Sequence, residues 1–260
     1  MSTPVSTPLS TPAVLAGKAA FVTGGSRGIG AAIVQRLARD GAAVAFTYTS
    51  AEGAAKALVK TIEAAGGRAV ALRADSADAA ALTAAVDEAA GKLGRLDILV
   101  NNAGVGLMGP FDSFTLADLD KTLAVNVRAV FVATQAAARH MGQGGAYGRV
   151  ITIGSTNAER MPWADGGVYA MSKAAVAGLT RGMARDLGPR GITVNNVQPG
   201  PVNTDLNPAD GPMASSMHGL MAVARHAHPD EIAGMVAYLA GPEAGMVTGA
   251  SLMIDGGFSA

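Results

Sequence analysis

The chain has 260 residues and a mass of 25.9 kDa, with 49% hydrophobic and 15% charged residues; that balance excludes an intrinsically disordered protein, and the length suffices for a sizeable core. Twenty Lys and Arg balance twenty Asp and Glu. With no basic excess or stripe, no nucleic-acid polymer is expected as a partner. Cysteine is absent, which excludes disulfides, Fe–S clusters and Cys-ligated zinc and fits a reducing, cytoplasmic setting.

The opening MSTPVSTPLSTP repeats Ser-Thr-Pro three times. Pro suits neither a helix interior nor a central strand, so residues 1–13 are expected to form a disordered tail. The segment lacks the basic and apolar stretches of a signal peptide. No apolar run reaches the ~18 residues of a membrane span, and no membrane partner is expected.

Regular structure is expected from residue 18. Residues 18–22 read as a buried strand ending at a Gly-rich turn, and 30–40 as a helix with Ile33 and Leu37 on one face. A second strand follows over 42–48, a helix over 51–65, a third strand over 68–73 and a helix over 78–91. Residues 96–100 form a fourth strand, 116–141 one long helix, 149–153 a fifth strand and 168–187 another long helix. A sixth strand spans 193–197, a helix 229–240 and a last strand 251–254. Strands apolar on both faces that alternate with helices imply a parallel sheet covered on both sides. Right-handed crossovers then predict an α/β fold: a single-domain, doubly wound, seven-stranded Rossmann sheet over residues 14–260. Residues 203–225, rich in Pro, Met and Ala, interrupt the alternation and read as a small mobile lid.

The turn Thr23-Gly24-Gly25-Ser26-Arg27-Gly28-Ile29-Gly30 joins the first strand to the first helix. Gly24 suits a tight turn, Gly28 a close approach of backbone to a pyrophosphate, and Gly30 close helix–strand packing. Helix N-terminal amides then face the phosphates. An acid at the end of the second strand would select a free ribose 2′-OH. Here Tyr48, Thr49 and Ser50 stand there, with no acid before Glu52. Arg27 in the turn is placed to meet a 2′-phosphate. NADPH is therefore expected over NADH.

Tyr169 and Lys173 stand at i and i+4 on a helix and so share a face. A free phenol keeps its proton at neutral pH, and a neighbouring ammonium favours the phenolate. Such a Tyr can exchange a proton with a carbonyl or alcohol oxygen. Ser155 follows the fifth strand, at the carboxyl end where ligands bind such sheets, and its hydroxyl suits a developing oxyanion. Asn101-Asn102-Ala103-Gly104 ends the fourth strand at the same crevice. Asn126 lies within a long helix, where Asn is a poor interior residue, which suggests a polar task.

TGxxxGxG, NNAG, the strand-end Ser and YxxxK occur in this order, and the chain from about residue 14 to 260 resembles the short-chain dehydrogenase/reductase family. The resemblance implies that Tyr169 is the acid/base, Ser155 polarises the carbonyl, and Lys173 binds the nicotinamide ribose. Asn126 would hold a water in a proton relay to Lys173. It also implies cofactor contacts at Gly24, Ser26, Arg27, Gly28, Ile29, Gly30, Tyr48, Thr49, Ser50, Asp75, Ser76, Asn102, Ala103 and Gly104. Asp75 would meet adenine, and Asn102 would lie beside the adenosine ribose. Pro199, Gly200, Val202 and Thr204 resemble the family's nicotinamide loop. The ending Ile254-Asp255-Gly256-Gly257 also matches. A homotetramer follows by analogy.

Tyr169 follows Ser155 by 14 residues, at the long end of the family's range. The intervening stretch, with Asn157, Met161 and Trp163, is expected to shape the substrate pocket together with Met108. The expected activity is an NADPH-dependent carbonyl reductase or alcohol dehydrogenase acting on a small-molecule ketone or secondary alcohol. Two alternatives stand beside it. One is a 3-oxoacyl-acyl-carrier-protein reductase. The other is a regulatory protein that binds cyclic di-GMP, because the stretch after Ser155 and the lid look closer to a bacterial subgroup with such a member. Arg160, Arg225, His226 and His228 would then meet phosphates. The four His residues lack HExxH spacing, and no metal is expected.

Overall fold

The computed structural model describes residues 13–142 and 147–260. The tail expected over 1–13 therefore lies, apart from Ala13, outside the described residues.

Seven parallel strands form one sheet in the order β3-β2-β1-β4-β5-β6-β7. The chain winds outward through β1 (Ala19–Val22), α1 (Gly28–Arg39), β2 (Ala43–Tyr48), α2 (Glu52–Ala64) and β3 (Arg68–Arg73), then returns through α3 (Ala79–Leu93) to β4 (Ile98–Asn101) beside β1. It continues through α4 (Leu116–Leu123) and α5 (Ala129–His140) to β5 (Gly148–Ile153), and through α6 (Gly167–Leu187) to β6 (Ile192–Pro199). A short α7 (Ala214–His218), α8 (Pro229–Ala240) and β7 (Ser251–Ile254) complete it. This is the doubly wound α/β architecture expected from the alternating pattern.

The strands are apolar on both faces because both faces are covered. Every residue of β1, β4, β5 and β6 is buried. One layer of core holds Ile33, Val34 and Leu37 of α1 with Leu58 and Ile62 of α2 and Ile232 and Val236 of α8. The opposite layer holds Leu82 and Val86 of α3 with Val130 and Ala133 of α5 and Val176 and Met183 of α6. Only β7 alternates, with Ser251 and Met253 outward, because it is an edge strand. Each fully buried Leu, Ile or Val removes enough apolar surface to stabilise the fold by roughly 1.5–3 kcal/mol before the entropy cost.

The single long helix expected over 116–141 is interrupted. Residues Ala124–Arg128 form a π-helical turn between α4 and α5, and Asn126 sits inside it, buried. Such turns insert one residue into the helical ladder and concentrate at functional sites. The segment 203–225 is mostly irregular but contains α7. Its base is tied down by a backbone bridge between Val202 and Ala227.

Winding direction reverses between β1 and β4. The loops after these strands part there and leave a crevice at the carboxyl ends, the usual ligand position in such a sheet.

Candidate active site

The crevice opens into a cleft of about 910 Å³ that runs from the Gly-rich turn to α6 and the lid. At one end Gly28 adopts φ +54°, a conformation that disfavours a Cβ. A Cβ there would also point at Thr204, 3.4 Å from its methyl, so the base of the lid lies directly over the turn. Gly25 and Gly30 answer a different need, space. Their Cβ atoms would stand 2.6 Å from the Phe46 Cβ and 2.2 Å from the Gly24 carbonyl oxygen.

The turn is braced from two strands. Thr47 of β2 accepts the Gly24 amide on Oγ1 at 2.9 Å. Asn102 after β4 donates from Nδ2 to the Thr23 and Gly24 carbonyls at 3.0 and 2.9 Å. The hydroxyl of Thr23 accepts the amides of Asn102 and Ala103, both at 3.0 Å. Asn102 lines the cleft, but its amide protons are spent on the turn, so its first task is to hold the loop rather than to grip a ribose.

The turn fits a pyrophosphate on an observation of its own. α3, α4 and α8 are capped by the side chains of Asp78, Thr115 and His228, whereas α1, α2 and α6 carry no such cap, and of these three only α1 opens from the Gly-rich turn. α1 has Arg27 at its N-cap with no side-chain capping bond and no acid in its first turn. Its first amides therefore face the cleft without a capping partner, the arrangement that receives an anion. Tyr48, Thr49 and Ser50 line the same end. Glu52, the first acid after β2, is bound to Lys56 at 2.7 Å and does not line the cleft. Arg27 is exposed, lines the cleft and makes no ion pair among the described residues.

Tyr169 lies in the first turn of α6, half-buried, and Lys173 one turn later, buried to 7% exposure. The Lys173 ammonium lies 5.7 Å from the Tyr169 ring centroid and donates to the Ile153 carbonyl at 3.0 Å. Ser155, two residues beyond β5, is buried and caps a 3₁₀ turn over Thr156–Ala158. Its Oγ accepts the Asn157 amide at 3.1 Å and donates to Asn157 Oδ1 at 3.2 Å. Ser155, Tyr169 and Lys173 line one wall of the cleft.

Asn126 and Met161 are the two expected site residues that do not line the cleft. Both protons of the Asn126 amide are used, one on the Val105 carbonyl at 2.9 Å and one on Ser172 Oγ at 3.0 Å; Oδ1 accepts the Val105 amide at 2.9 Å. The side chain clamps the loop after β4 to α6 from behind and keeps a single free lone pair for any relay water. Met161 is turned inward instead, under Gly166, where it accepts from Asn157 Nδ2 at 3.7 Å. It supports the pocket wall without facing the pocket. The other expected positions all line the cleft: Ser26, Ile29, Asp75, Ser76, Ala103, Gly104, Pro199, Gly200, Val202, Met108, Asn157 and Trp163 among them. Asp75 spends Oδ1 on the Ala77 amide at 2.9 Å.

Phe258 was not legible as a site residue, yet it lines the cleft and meets Trp163 edge-on with centroids 5.7 Å apart. Its only sequence signal is its place just after Asp255-Gly256-Gly257. The four basic side chains expected to meet phosphates are engaged elsewhere. Arg160 donates to the Phe258 carbonyl at 2.6 Å, and Arg225 forms a two-bond pair with Glu231 at 2.7 and 2.8 Å. His228 caps α8. His226 is buried against His218, with 2.7 Å between ring nitrogens, and burial first, then His218, lowers its pKa.

A second hollow of about 840 Å³ lies at the amino ends of β1–β3, lined by Lys18, Arg36, Arg39, Arg68 and Arg95. The C-terminal ends of α1, α2 and α3 meet there, and Arg68 donates to the Lys92 carbonyl at 2.5 Å. Arg68 thus answers a helix carbonyl end, Arg36 and Arg95 are bound to Asp40 and Asp97, and the hollow holds none of the candidate residues.

Comparison with known proteins agrees with this architecture. A family model described as enoyl-(acyl carrier protein) reductase matches residues 24–259. The chain is 51% identical over 244 residues to the cyclic-di-GMP-binding biofilm dispersal mediator protein of Escherichia coli (strain K12), covering 94% of this chain and 98% of that protein. Its fold superimposes on a short-chain dehydrogenase/reductase from Serratia marcescens with a TM-score of 0.92 at 63% identity, covering 95% of this chain and 100% of that one. A short-chain dehydrogenase from Burkholderia cenocepacia J2315, solved in complex with NADP, gives a TM-score of 0.92 at 55% identity over 95% and 100% of the two chains. Among the described residues no helix is long and apolar enough to cross a membrane. With a doubly wound sheet, a Gly-rich turn at its switch point and relatives of this closeness over nearly its whole length, the chain belongs to the short-chain dehydrogenase/reductase family.

Proposed function

We propose that the protein is an NADPH-dependent carbonyl reductase, running in reverse as an alcohol dehydrogenase, with residues 14–260 as its one catalytic domain. The observation that carries the reading is the shared wall formed by Ser155, Tyr169 and Lys173 in the cleft whose far end is the Gly-rich turn. NADP in the Burkholderia relative supports the same cofactor here, and the unpaired Arg27 beside Tyr48, Thr49 and Ser50 supports the phosphorylated form.

Bound NADPH supplies the hydride. The chain's own groups do the rest. The Ser155 hydroxyl turns from Asn157 Oδ1 to the carbonyl oxygen and polarises it. The Tyr169 phenol gives that oxygen a proton. Lys173, fixed by the Ile153 carbonyl, holds its positive charge beside the phenol and toward a ribose. Asn126 keeps the loop after β4 at the correct distance from α6. Val202 and Thr204 flank the nicotinamide end.

Met108 and Met213 line the cleft while 51% and 49% exposed, an adaptable apolar mouth that suits ketones with an apolar body. Between 203 and 225 the lone Lys or Arg is Arg225, already bound to Glu231, which disfavours a phosphopantetheine-borne substrate. A homotetramer in the cytoplasm belongs to the same reading. The test is NADPH oxidation with aryl ketones, keto esters and diketones. Wild type is expected to turn over at least one, and Tyr169→Phe to lose turnover while still binding NADPH. NADPH binding without turnover of any carbonyl would defeat the reading.

The 51% identity to a cyclic-di-GMP-binding protein favours a second reading, a nucleotide-responsive regulator on the same fold. Titration calorimetry with cyclic di-GMP decides it; absence of heat at high concentration would dispose of it.

A further inference from the structure

The C-terminal turn is built into the wall that carries Ser155. Asp255, at the end of β7, is buried, and its carboxylate accepts four hydrogen bonds. Thr156 Oγ1 donates at 3.0 Å, the Gly257 amide at 3.0 Å, the Ser259 amide at 3.0 Å and the Ser259 hydroxyl at 2.6 Å. Burial by itself would raise its pKa, but the bonds from Ser259, Gly257 and Thr156 together outweigh burial and hold the carboxyl below its ordinary value. It is therefore a carboxylate at neutral pH, and an acceptor only. Thr156 is the residue next to Ser155 and is itself 2% exposed.

A second tie runs parallel to the first. Arg160 donates to the Phe258 carbonyl at 2.6 Å, and its guanidinium lies 5.9 Å from the Phe258 ring centroid. The Phe258 ring also meets Trp163 edge-on, a favourable aromatic geometry. The start and the middle of the stretch between Ser155 and Tyr169 are thus fastened to the turn Asp255–Ser259. The same turn also holds the lid. The Val223 amide donates to the Gly256 carbonyl at 2.8 Å. Gly257, at φ +79°, lies where a Cβ would come within 2.9 Å of the Ala222 Cβ.

We propose that the turn Asp255–Ser259 is a clasp of the active site: Asp255, through Thr156, is a positioning residue for Ser155, and Phe258 with Trp163 forms the wall that selects the substrate's apolar body. The positioning role rests on the carbonyl-reductase reading above. The clasp itself does not, since it is a set of contacts with its own optical signal: Trp163 is the only tryptophan of the chain.

The experiment uses the full chain with Asp255→Asn, Thr156→Val, Thr156→Ser, the Thr156→Val/Asp255→Asn double variant and Phe258→Ala. Val at 156 keeps volume and removes the bond; Asn at 255 keeps volume but removes the charge and leaves one acceptor oxygen where two now take four donors, with an NH2 facing one of them. Misplacing a polarising hydroxyl by about 1 Å costs on the order of 100-fold in rate. The expected result is a kcat for ketone reduction lower by roughly 10- to 100-fold in Asp255→Asn and Thr156→Val, with the Kd for NADPH within twofold of wild type. The double variant should be no slower than the worse single one, and Thr156→Ser, which keeps the hydroxyl, should retain wild-type kcat. Phe258→Ala should raise the ketone KM more than it lowers kcat and shift Trp163 emission to the red. Amide hydrogen exchange over residues 155–163 should quicken in Asp255→Asn while β1 and α1 keep their protection. A kcat within twofold of wild type in both single variants overturns the positioning role. So do additive losses in the double variant, or loss of NADPH binding in step with kcat. Unchanged Trp163 emission and unchanged exchange over 155–163 overturn the clasp. If wild type reduces no carbonyl, the reductase reading fails and the positioning role fails with it; emission and exchange still decide the clasp.

Discussion

The ammonium of Lys173 is anchored on the carbonyl oxygen of Ile153, the last residue of β5, at 3.0 Å. The bond joins the helix that bears Tyr169 to the strand that leads into Ser155, so one cation sets the spacing of two chemical groups. Lys173→Met removes the charge and leaves that carbonyl without its donor. Turnover at saturating NADPH is expected to fall by at least about a hundredfold, the scale of losing assisted proton transfer. Because Lys173 is buried, the larger, forked guanidinium of Lys173→Arg should not restore it. Steady-state kinetics beside wild type checks both.

Cofactor choice is predicted to sit in Arg27. It is exposed in the cleft without an ion pair, while Glu52 is neutralised by Lys56. Arg27→Gln should raise the KM for NADPH by roughly 10- to 100-fold, the worth of one bond to a charged group, and leave the KM for NADH within about twofold. Equal loss with both cofactors would contradict the assignment.

The close approach at the Gly-rich turn sets a stability prediction. Ala at position 25 would bring its methyl within 2.6 Å of the Phe46 Cβ and 2.9 Å of a Val34 methyl. Overpacking of that kind costs about 1–3 kcal/mol. Gly25→Ala should lower the midpoint of urea unfolding accordingly, and NADPH should recover part of the loss by binding the folded state.

Acid sensitivity is expected at the lid. Burial, then the neighbouring His218, depresses the pKa of His226 below its ordinary 6.5. The unfolded chain therefore takes up this proton more readily than the folded one. Its contribution to stability is present above about pH 6.5 and lost as the pH falls through the depressed value. His226→Gln should lose less stability than wild type between pH 7.5 and 5.5. Urea titrations at the two pH values measure the difference, and an equal loss in both proteins would refute the assignment.

The sheet was legible because its signals are local. A run such as Ile98–Asn101, buried on both faces, and a helix such as α1, with Ile33, Val34 and Leu37 inward, declare themselves within a dozen residues. The cleft residues were legible where a motif sits at a strand end, as with Ser155 and the Gly-rich turn. What stayed hidden depends on distant partners. Thr156 meets Asp255 across 99 residues, and Asn102 meets Gly24 across 78. Neither spacing leaves a pattern, so the sequence does not announce Phe258, nor the loop that Asn102 braces. The inward turn of Met161 is hidden for a related reason: the stretch after Ser155 has no periodicity to say which side chains face inward. The break in the long helix at Ala124–Arg128 escaped because one extra residue in a single turn barely disturbs the apolar spacing on either side.

That extra residue has a geometric consequence for any effort to regularise the protein. An α-helix advances about 100° per residue, so the π-helical turn offsets the phase of α5 from that of α4. Closing that turn into an ordinary ladder with every residue kept would therefore rotate the following segment by about 100°. Ala133, Ala136 and Ala137, now buried beside α3 and the sheet, would swing toward solvent. At its present length the segment is thus incompatible with a regular helix, and the irregularity at Asn126 is locked in place by alanines two and three turns away.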